Sequence, residues 1–596
     1  MTDPVIIPNE STLNLVSEQK KEEIKKADIQ ITKAMIKRVC PNIASFSELF
    51  QATSKTNSIN HFINKNNSNS NTKLSDDIDD IDNIDNVDQI LNAIAVTNEI
   101  YWGTPLCSNM TEIRFHGLSK IMIKNLTENF NVIWPWSLQY DTIRLGNNKR
   151  FCRFPLMIVF PKSVDDVKFW IKFVQTYSFS VSIRSGGHNY EYYSGENSVI
   201  IDLTDLKLEN KDSQIYIDKE NGYVKVAPGV RLGILYNELD KHDSIIAGGI
   251  CPSVATGGLV AGGGVGYMMR KLGFACDNLL SVKLILANGE KVKANENENK
   301  DLFKACKGAG QNFGVIVEYK LKIFPIKRVI YYTYVFSLNN FVSVMEIWQR
   351  FVQKAPADLA SSVVNCAAGL DVFIINGIFS SQKIKGDDDC ERSELSVCKA
   401  NETMLLKFNE LIKPEFLDKL KKENIKPVIK KIENLTFIEA ESSIALEIPN
   451  LPFYKIKGNC FFEPIDNNGW KKINKILKQP LLEDPTQGFL AIQIIAYGGN
   501  LKKSNSVLVA SKSIGLIQTA VYYSNQDNQN IALNLIEGVY DIIKSFTSSY
   551  SEPNIADKDL KNYLKDYYGK NIDFLKETKR KYDPDNLFKF SRSIPI

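Results

Sequence analysis

Two stretches decide the fold of this chain, Arg184-Ser-Gly-Gly-His188 and Gly248-Gly-Ile-Cys251-Pro-Ser-Val-Ala-Thr-Gly-Gly-Leu-Val-Ala-Gly-Gly-Gly-Val-Gly266. Glycine has no Cβ, so successive backbone N–H groups can turn inward and approach a diphosphate closely. The alternative for a single loop of this kind is that its glycines serve only tight turns. Because the chain has two such loops, we interpret them as phosphate-cradling loops.

The sequence around the first loop alternates between helix and strand patterns. Ser163 and Asp166 form a capping-box-like start, and apolar residues recur at helical spacing over 164–174. A β-rich run over 180–184 follows, which places His188 just past the end of a strand. Further elements are predicted as strands over 199–203 and 223–227, a helix over 232–239, and a hairpin over 284–293 around Asn288-Gly289. This part of the chain is therefore mixed α and β.

A nicotinamide-binding Rossmann site is the main rival interpretation of so many glycines. Its fingerprint is GxGxxG between a strand and a helix, with an acidic residue about 20 positions further on. The run Gly308-Ala-Gly310-Gln-Asn-Phe-Gly314 has one residue too many and leads into a strand pattern over 315–324. The run over 262–266 fails the same spacing, so the sequence does not support a Rossmann site.

Length and composition exclude several classes of protein. A chain of 596 residues is too long for one ordinary core, so at least two packed domains are expected. The 73 Lys and Arg against 69 Asp and Glu form no basic stripe, which argues against a nucleic-acid partner. No apolar run reaches the length of a membrane-spanning helix, so we expect no membrane partner. The ten cysteines show no CxxC pair, and we predict neither a disulfide scaffold nor a metal site.

The amino terminus bears on localisation. It carries Asp3 and Glu10 and no apolar run of the length that a secretory signal needs, which favours a cytoplasmic location. Sequons such as Asn109-Met-Thr111 weaken this expectation slightly.

Four segments follow from the pattern along the chain. Residues 1–110 form an extension whose Asn/Ser tract (64–72) and acidic run (76–88) predict a partly disordered linker. Residues 111–325 form the domain with the glycine-rich loops, and 326–545 combine long β-rich runs with helices, as in a sheet covered by helices. Residues 546–596 form a helical closing segment in which Pro584 stops the last helix.

The order and spacing of several motifs resemble one known family, the berberine bridge enzyme-like FAD-linked oxidases of the vanillyl-alcohol oxidase superfamily. The two glycine-rich loops carry the main similarity. Further matching runs are Met269-Arg-Lys-Leu-Gly273, Asp277-Asn278, Asp301-Leu-Phe303, Asn312-Phe-Gly-Val315, Tyr497-Gly-Gly499, Tyr567-Tyr-Gly-Lys-Asn571, Lys581-Tyr-Asp-Pro-Asp-Asn-Leu-Phe588 and Ser593-Ile-Pro595. The resemblance spans about residues 111–596 and does not cover the amino-terminal extension.

The resemblance implies an α+β fold. It comprises a PCMH-type FAD-binding domain of two α/β subdomains and a substrate domain with an antiparallel sheet covered by helices. The closing segment is expected to return to the FAD-binding domain. In the family, the histidine of the first loop bonds to the flavin 8α-methyl group and the cysteine of the second loop to carbon 6. His188 and Cys251 occupy these positions, which implies a doubly attached FAD. The other residues assigned to the cofactor are Arg184, Ser185, Gly186, Gly187, Asn189, Tyr190, Gly249, Val254, Thr256, Gly257, Gly258, Gly262, Gly264, Gly266, Asn278, Gly314, Val315 and Asn586.

The resemblance also implies partners. The substrate is expected to be a sugar, an alcohol, or a phenolic or alkaloid-like metabolite. Val254 matches the position that gates oxygen in the family's oxidases, which implies molecular oxygen as the electron acceptor and hydrogen peroxide as a product. The alternative for Val254 is a simple packing residue. Family resemblance is also compatible with secretion.

The sequence departs from the family at the residues that remove a substrate proton. The family's Asn-Tyr-x-Asp stretch reads Asn554-Ile-Ala-Asp557 here, and an ungapped count puts Thr519 where other members have a glutamate. The histidine that usually follows the paired glycines is Leu259. Tyr497 and Asp557 are the candidate bases, although a hydrogen-bonded structural role is the alternative for each.

Two functions therefore compete. The first is an oxidase in which the cofactor takes hydride from an activated substrate carbon. The second is a flavin-loaded binding or sensing protein whose catalysis has lapsed, which the departures at the proton-removing positions favour.

Overall fold

A computed structural model describes residues 118–135, 137–381, 394–444, 451–479 and 488–596. The predictions for the extension over 1–110, including its linker and acidic run, lie outside the described residues. The strands are β1 (Val132–Ile133), β2 (Met157–Val159), β3 (Val181–Arg184), β4 (Val199–Asp202), β5 (Ile215–Asp218), β6 (Tyr223–Val226), β7 (Leu279–Ile285), β8 (Lys291–Asn295), β9 (Val315–Lys322), β10 (Arg328–Ser337), β11 (Val363–Ala367), β12 (Val372–Phe379), β13 (Ile429–Thr436), β14 (Phe453–Phe461), β15 (Gly488–Ala496) and β16 (Gly515–Tyr523).

The α-helices of the described residues intervene between these strands. They are α1 (Lys120–Asn129), α2 (Tyr140–Ile143), α3 (Val164–Thr176), α4 (Leu232–Asp240), α5 (Thr256–Ala261), α6 (Met269–Leu272), α7 (Lys300–Ala309), α8 (Phe341–Lys354), α9 (Glu394–Ile412), α10 (Asp418–Lys422), α11 (Phe437–Ile444), α12 (Asn467–Leu477), α13 (Gln529–Lys544), α14 (Tyr563–Tyr568) and α15 (Ile572–Tyr582).

The first sheet, in the order β1-β2-β4-β3, carries the first glycine-rich loop at the end of β3. Its strands β2, β4 and β3 are parallel, and α3 connects β2 to β3. The capping box at Ser163 and Asp166 starts α3, and Trp170 of this helix is completely buried against the sheet. The predicted helix and strand are confirmed, and His188 lies in the loop that follows β3.

The second sheet has the order β5-β6-β9-β7-β8, and the second glycine-rich stretch lies beside it. The predicted hairpin is confirmed as β7 and β8, but only Gly289 of its turn has a positive φ, at 80°. Asn288 does not adopt the left-handed conformation, because the loop closes through hydrogen bonds from Gly289 N to Leu286 O and from Leu286 N to Glu290 O. A type I turn followed by a left-handed glycine is the usual form of this longer loop.

The third sheet has the order β13-β10-β12-β11-β15-β16-β14 among the described residues, and every neighbouring pair is antiparallel. Helices α8, α12 and α13 cover one face of it, with Trp348 and Trp470 almost fully buried. Side chains alternate along each strand, so Ile517 and Val521 pack under the helices. The predicted antiparallel sheet covered by helices is confirmed, and part of the other face, which these three helices leave uncovered, lines a cavity.

The closing segment lies against the first half of the chain. Lys579 Nζ donates to Asn312 O at 2.7 Å and to Asp583 Oδ2 at 2.6 Å, and Asn312 Oδ1 accepts a hydrogen bond from Ile594 N at 2.8 Å. Helix α15 ends at Tyr582, immediately before Asp583-Pro584. Proline cannot continue a helix, which agrees with the predicted stop.

No helix among the described residues is both long and apolar enough to cross a membrane.

Candidate functional site

The two glycine-rich loops line a single cavity of about 1260 Å³. One end of this cavity is formed by the loop after β3, the amino-terminal part of α5 and the closing segment. The other end is formed by the uncovered face of the third sheet. His188 and Cys251 both line it, although 62 positions separate them along the chain. The cavity therefore offers one space to both residues that the sequence assigns to cofactor attachment.

Ser253 contacts both of these side chains. Its Oγ lies 3.2 Å from Cys251 Sγ, and its backbone hydrogen-bonds with the His188 imidazole. The carbonyl oxygen of Ser253 also accepts a hydrogen bond from the Arg231 guanidinium. Because one small residue reaches both side chains, the imidazole and the thiol lie close together on the same wall.

The environment of His188 keeps its imidazole neutral. Burial, and then the positive charge of Arg231, lower the pKa of His188 to about 4, against the opposing effect of the hydrogen bond with Ser253. A neutral imidazole has a free ring-nitrogen lone pair, which a nucleophile requires. The site therefore presents His188 in the form that can bond to an electrophilic carbon.

Many of the residues assigned to the cofactor line this cavity. They are Ser185, Gly186, Gly187, His188, Asn189, Tyr190, Cys251, Val254, Gly257, Gly258, Gly262, Gly266 and Gly314. A Cβ added to Gly258 would meet no atom within 4 Å, so it would project into the open cavity. The φ of Gly187 is 69°, a conformation that side chains rarely adopt. Gly258 therefore keeps the cavity open where a diphosphate would approach the backbone, and Gly187 permits the positive φ of the first loop.

Other residues in the same assignment support the loops from behind and do not line the cavity. The Arg184 guanidinium pairs with buried Asp202 and donates to Ile143 O, which fixes the end of β3. Thr256 Oγ1 donates to Ala227 O at 3.0 Å, and Asn278 Nδ2 donates to Leu272 O at 2.8 Å. The remaining residues placed outside the lining are Gly249, Gly264, Val315 and Asn586.

Gly249 and Gly264 have identifiable structural contacts. Gly249 O accepts a 2.6 Å hydrogen bond from the Tyr236 hydroxyl, and Gly264 N donates to Asn554 Oδ1 at 2.9 Å. Asn554 also donates to Gly258 O at 3.1 Å, so it ties the second glycine-rich stretch to the closing segment. The Asn of the altered Asn-Tyr-x-Asp stretch thus lies at the cavity even though the Tyr is absent.

The end of the cavity formed by the loop after β3 and the closing segment, which we call the nucleotide end, contains polar groups that suit a cofactor. Tyr193 Oη, Ser194 Oγ and Arg592 Nε are buried and have no hydrogen-bond partner among the described residues. All three residues line the cavity, and the Tyr193 ring stacks on Phe590 at 5.7 Å between centroids. Buried polar atoms ordinarily have partners, so these atoms fit the hydroxyl, phosphate and ring nitrogen atoms of a dinucleotide. Sequence reasoning did not single out these residues, because isolated Tyr, Ser and Arg carry no motif.

The structure places both candidate bases away from the cavity. Tyr497 is 2% exposed and packs on Phe274, and burial raises the pKa of its phenol well above the usual value. Burial alone would raise the pKa of Asp557, but its ion pairs with Lys455 and Lys457 lower that pKa. Neither side chain lines the cavity, so their placement argues against direct proton abstraction.

The strand position next to Thr519 is the one that faces the cavity. Thr519 is completely buried on the helix-covered side of β16, whereas Gln518 lines the cavity. The ungapped count therefore gives a position one residue away from the one that faces the cavity. Neighbouring residues of a strand point to opposite faces of the sheet, which explains the difference. Leu259 lines the cavity, and Ile555 is buried beside Gly458.

Within the part of the chain that the structure describes, the residues that line the cavity include no aspartate or glutamate. The tyrosines that line the cavity include Tyr190, Tyr454 and Tyr522, and burial raises the pKa of each above its usual value. At neutral pH these phenols are protonated. The Tyr454 hydroxyl donates to Asn147 Oδ1 at 2.8 Å, whereas those of Tyr190 and Tyr522 can donate hydrogen bonds to a substrate oxygen. No group of three or more His, Cys, Asp or Glu residues in these ranges is placed to hold a metal ion.

Glu552 is a buried carboxyl group beside the cavity wall. It is 2% exposed, its Oε2 has no hydrogen-bond partner among the described residues, and burial raises its pKa to about 8. Between the usual pKa of 4.5 and about pH 8, the unfolded chain is ionised here while the folded chain holds a proton. The stability associated with this proton is complete below pH 4.5 and is lost as the pH rises through about 8.

We therefore expect Glu552→Gln to flatten the pH dependence of stability. At pH 8 the free energy of unfolding of the variant should exceed that of the wild type by about 2 kcal/mol, with a smaller difference at pH 5. Urea denaturation at both pH values measures this difference. Exposed Glu577→Gln is the matched control and should change neither value. Parallel profiles for the wild type and Glu552→Gln would contradict the prediction.

Comparison with known proteins agrees with this geometry. The family described as FAD binding domain matches residues 155–295, and the family described as Berberine and berberine like matches residues 553–595. The chain is 26% identical over 452 residues to "Uncharacterized FAD-linked oxidoreductase YvdP" of Bacillus subtilis (strain 168), covering 74% of this chain and 92% of that protein. It is 26% identical over 479 residues to "Reticuline oxidase" of Eschscholzia californica, covering 74% and 83% of the two chains.

The fold is also similar to that of solved structures. Physcomitrella patens BBE-like 1 (wild type) superposes with a TM-score of 0.67 at 24% identity, covering 79% of this chain and 98% of that one. The cavity between two glycine-rich loops and these matches define an FAD-linked oxidoreductase with a PCMH-type FAD-binding domain. Within that class, the chain is similar to berberine bridge enzyme-like proteins, whose family model matches its closing segment.

Proposed function

We propose that this protein is an oxidase that holds FAD through two covalent bonds, one to His188 and one to Cys251. The observation that carries the proposal is the convergence of the imidazole and the thiol on Ser253, on the wall of a cavity that also reaches the third sheet. Bound FAD would supply the acceptor for the substrate hydride and the route by which the two electrons reach oxygen to give hydrogen peroxide. Val254, three residues after Cys251, lines the cavity, and we propose that it admits oxygen to the flavin.

The chain's own residues have distinct parts in this proposal. The imidazole of His188 is neutral and nucleophilic, so it suits attachment to the flavin 8α-carbon. The nucleotide end supplies the unpartnered groups of Tyr193, Ser194 and Arg592 for the dinucleotide. The uncovered sheet face holds the substrate, with protonated tyrosine hydroxyls available to orient a substrate oxygen. Since the lining residues described include no carboxylate, we propose that the proton of the substrate hydroxyl leaves to water.

A substrate alcohol, sugar, or phenolic or alkaloid-like molecule fits this scheme, because each carries a C–H bond activated by oxygen, nitrogen or an aromatic ring. Reticuline oxidase, one of the similar proteins, is named for the oxidation of reticuline. We also propose that the protein acts without a membrane or nucleic-acid partner.

Anaerobic reduction tests the proposal. Purified protein should be yellow and keep its colour in an acid-precipitated pellet. A panel of sugars and aromatic alcohols should include one that bleaches the flavin without oxygen, and admitting oxygen should restore the colour and release one equivalent of hydrogen peroxide. A yellow pellet with no bleaching by any member would favour a flavin-loaded binding or sensing protein, the function that the change to Ile555 favours. A colourless pellet would contradict covalent attachment.

A further inference from the structure

A tight turn over residues 251–254 carries Cys251 and Ser253 side by side on the cavity wall. The turn is closed by a hydrogen bond from Val254 N to Cys251 O at 3.2 Å, and Pro252 occupies its second position. Proline is favoured at that position because its ring fixes φ near the value that the turn requires. Both Cys251 and Ser253 line the cavity, so the turn places the thiol and the hydroxyl next to each other there, with 3.2 Å between Sγ and Oγ.

The first turn of α4 anchors this tight turn from behind. Gly233 N donates to Pro252 O at 2.9 Å. The guanidinium of Arg231, the residue immediately before α4, donates to Ser253 O. Because these bonds hold the backbone on both sides of the Pro252–Ser253 peptide, the position of Ser253 relative to Cys251 is set by the fold.

The groups that surround the Cys251 thiol are poor proton acceptors. Among the described residues, those that line the cavity include no carboxylate. The phenols that interact with the thiol all have pKa values that burial raises: Tyr190, Tyr236, Tyr267, Tyr454 and Tyr522. Burial, and then Arg231, lower the pKa of His188 to about 4, which makes the imidazole a weak base. The Ser253 hydroxyl is the one hydrogen-bond partner of Sγ in the described part of the chain.

Attachment of a cysteine to flavin carbon 6 requires the thiolate, because the thiolate and not the thiol is the nucleophile. In the complete step the S–H and C6–H bonds break and the S–C6 bond forms. Two electrons and two protons pass to molecular oxygen, which leaves as hydrogen peroxide. The side chain of Ser253 is exposed to solvent, so its hydroxyl can accept the thiol proton while its own proton leaves to water. A hydroxyl that then donates to the sulfur stabilises the thiolate, since hydrogen bonds to a charged group are the stronger kind.

We infer that Ser253 is the positioning residue for the bond between Cys251 and the flavin. Its hydroxyl transfers the thiol proton to solvent and then donates to the thiolate, which keeps the sulfur charged on the cavity wall. The bond to His188 needs no such help, because a neutral imidazole already has a free lone pair. The inference rests on the proposed function, since it concerns how one of the two proposed flavin bonds forms.

The rate of attachment in the full-length chain tests the inference. Protein from a riboflavin-starved host is mixed with FAD under air, and mass spectrometry of its peptides follows the bonds to His188 and Cys251 separately. We expect Ser253→Ala to slow the bond to Cys251 by roughly tenfold or more and to leave the bond to His188 unchanged. Ser253→Thr keeps the hydroxyl and should restore the rate. Ser253→Val has the shape of threonine without the hydroxyl and should be as slow as Ser253→Ala.

Alkylation of the FAD-free chain by iodoacetamide separates this role from a merely structural one. At pH 7, Cys251 should react roughly three- to tenfold more slowly in Ser253→Ala than in the wild type, because less of the thiol is ionised. At pH 10 the two rates should converge, since a thiol ionises near pH ~8.5 without assistance. Exposed Cys152 provides an internal control, and its rate should be the same in both proteins at each pH.

Ser213→Ala is the matched control for the substitution, because Ser213 is exposed and lies outside the cavity, and it should change neither measurement. Equal attachment rates in the wild type and Ser253→Ala would overturn the inference, and so would a Ser253→Val variant as fast as Ser253→Thr. Both results leave the proposed function standing, because the bond to Cys251 still forms. A wild type with no flavin on either peptide would overturn the proposed function itself, and the inference with it.

Discussion

Replacing both His188 and Cys251 with alanine should move all of the flavin from the acid-precipitated pellet to the supernatant. The single variants should each retain a coloured pellet, because one covalent bond is enough to hold the cofactor through denaturation. This is the largest effect expected from any change in the cavity, from complete retention to none. Absorbance of the pellet after it is redissolved in denaturant, compared with that of the supernatant, measures the distribution.

The chain offers matched controls for both substitutions. Cys152 is an exposed free cysteine and His242 lies outside the cavity, so Cys152→Ala and His242→Ala should leave the pellet as yellow as the wild type. A yellow pellet from the double variant would show that another residue attaches the flavin. Loss of all colour in one single variant would show that the bond to the other residue does not form alone.

Substitution of Lys455 by methionine should produce the largest loss of stability. The Lys455 side chain is completely buried and pairs with Glu191, with Asp557 at 2.6 Å and with Asp559 at 2.8 Å. Glu191 is also completely buried, so the variant would leave its charge with Arg150, at 2.8 Å, as its one remaining ion-pair partner among the described residues. Removing one member of a buried ion pair costs about 3–5 kcal/mol, because the remaining charge stays desolvated.

Guanidinium denaturation of the holoprotein would measure this loss. Lys124→Met is the matched control, because Lys124 forms an exposed pair with Glu128 at 3.8 Å, and it should cost under about 1 kcal/mol. The double variant Lys455→Met, Glu191→Leu should lose less than the sum of the single variants, since it removes opposite charges together. Equal losses for Lys455→Met and Lys124→Met would show that the buried cluster contributes little.

The same cluster predicts a direction for acid sensitivity. Lys455 and Lys457 hold the pKa of Asp557 below its usual value despite burial. The stability that these pairs contribute is present above the usual aspartate pKa near 3.8 and is lost as the pH falls through the lower value of the folded protein.

Local features of this fold could be predicted from the sequence because short-range rules govern them. The capping box and apolar spacing located α3, and the glycines of the two loops reflect backbone conformations that other residues rarely adopt. The motif order placed His188 and Cys251, which the structure brings to one cavity. These inferences depend on neighbours within a few residues, or on a spacing of glycines that few folds require.

Features that depend on long-range contacts could not be predicted. The pairing of Asp557 with Lys455 joins residues about 100 positions apart, and no local pattern indicates it. The choice between Gln518 and Thr519 depends on which face of β16 the helices cover, which is a property of the assembled sheet. Tyr497 looked like a candidate base in the sequence because its motif is intact, but its neighbour Phe274 comes from another part of the chain and covers it.

The placement of the closing segment has a consequence for biosynthesis. Phe588, Phe590 and Arg592 complete the nucleotide end of the cavity, and Ile594 is anchored to Asn312. A ribosome-bound chain that still lacks these residues presents an incomplete pocket, however well its earlier sheets have formed. We therefore expect FAD to be loaded only after the closing segment has been synthesised, because that segment completes the cavity.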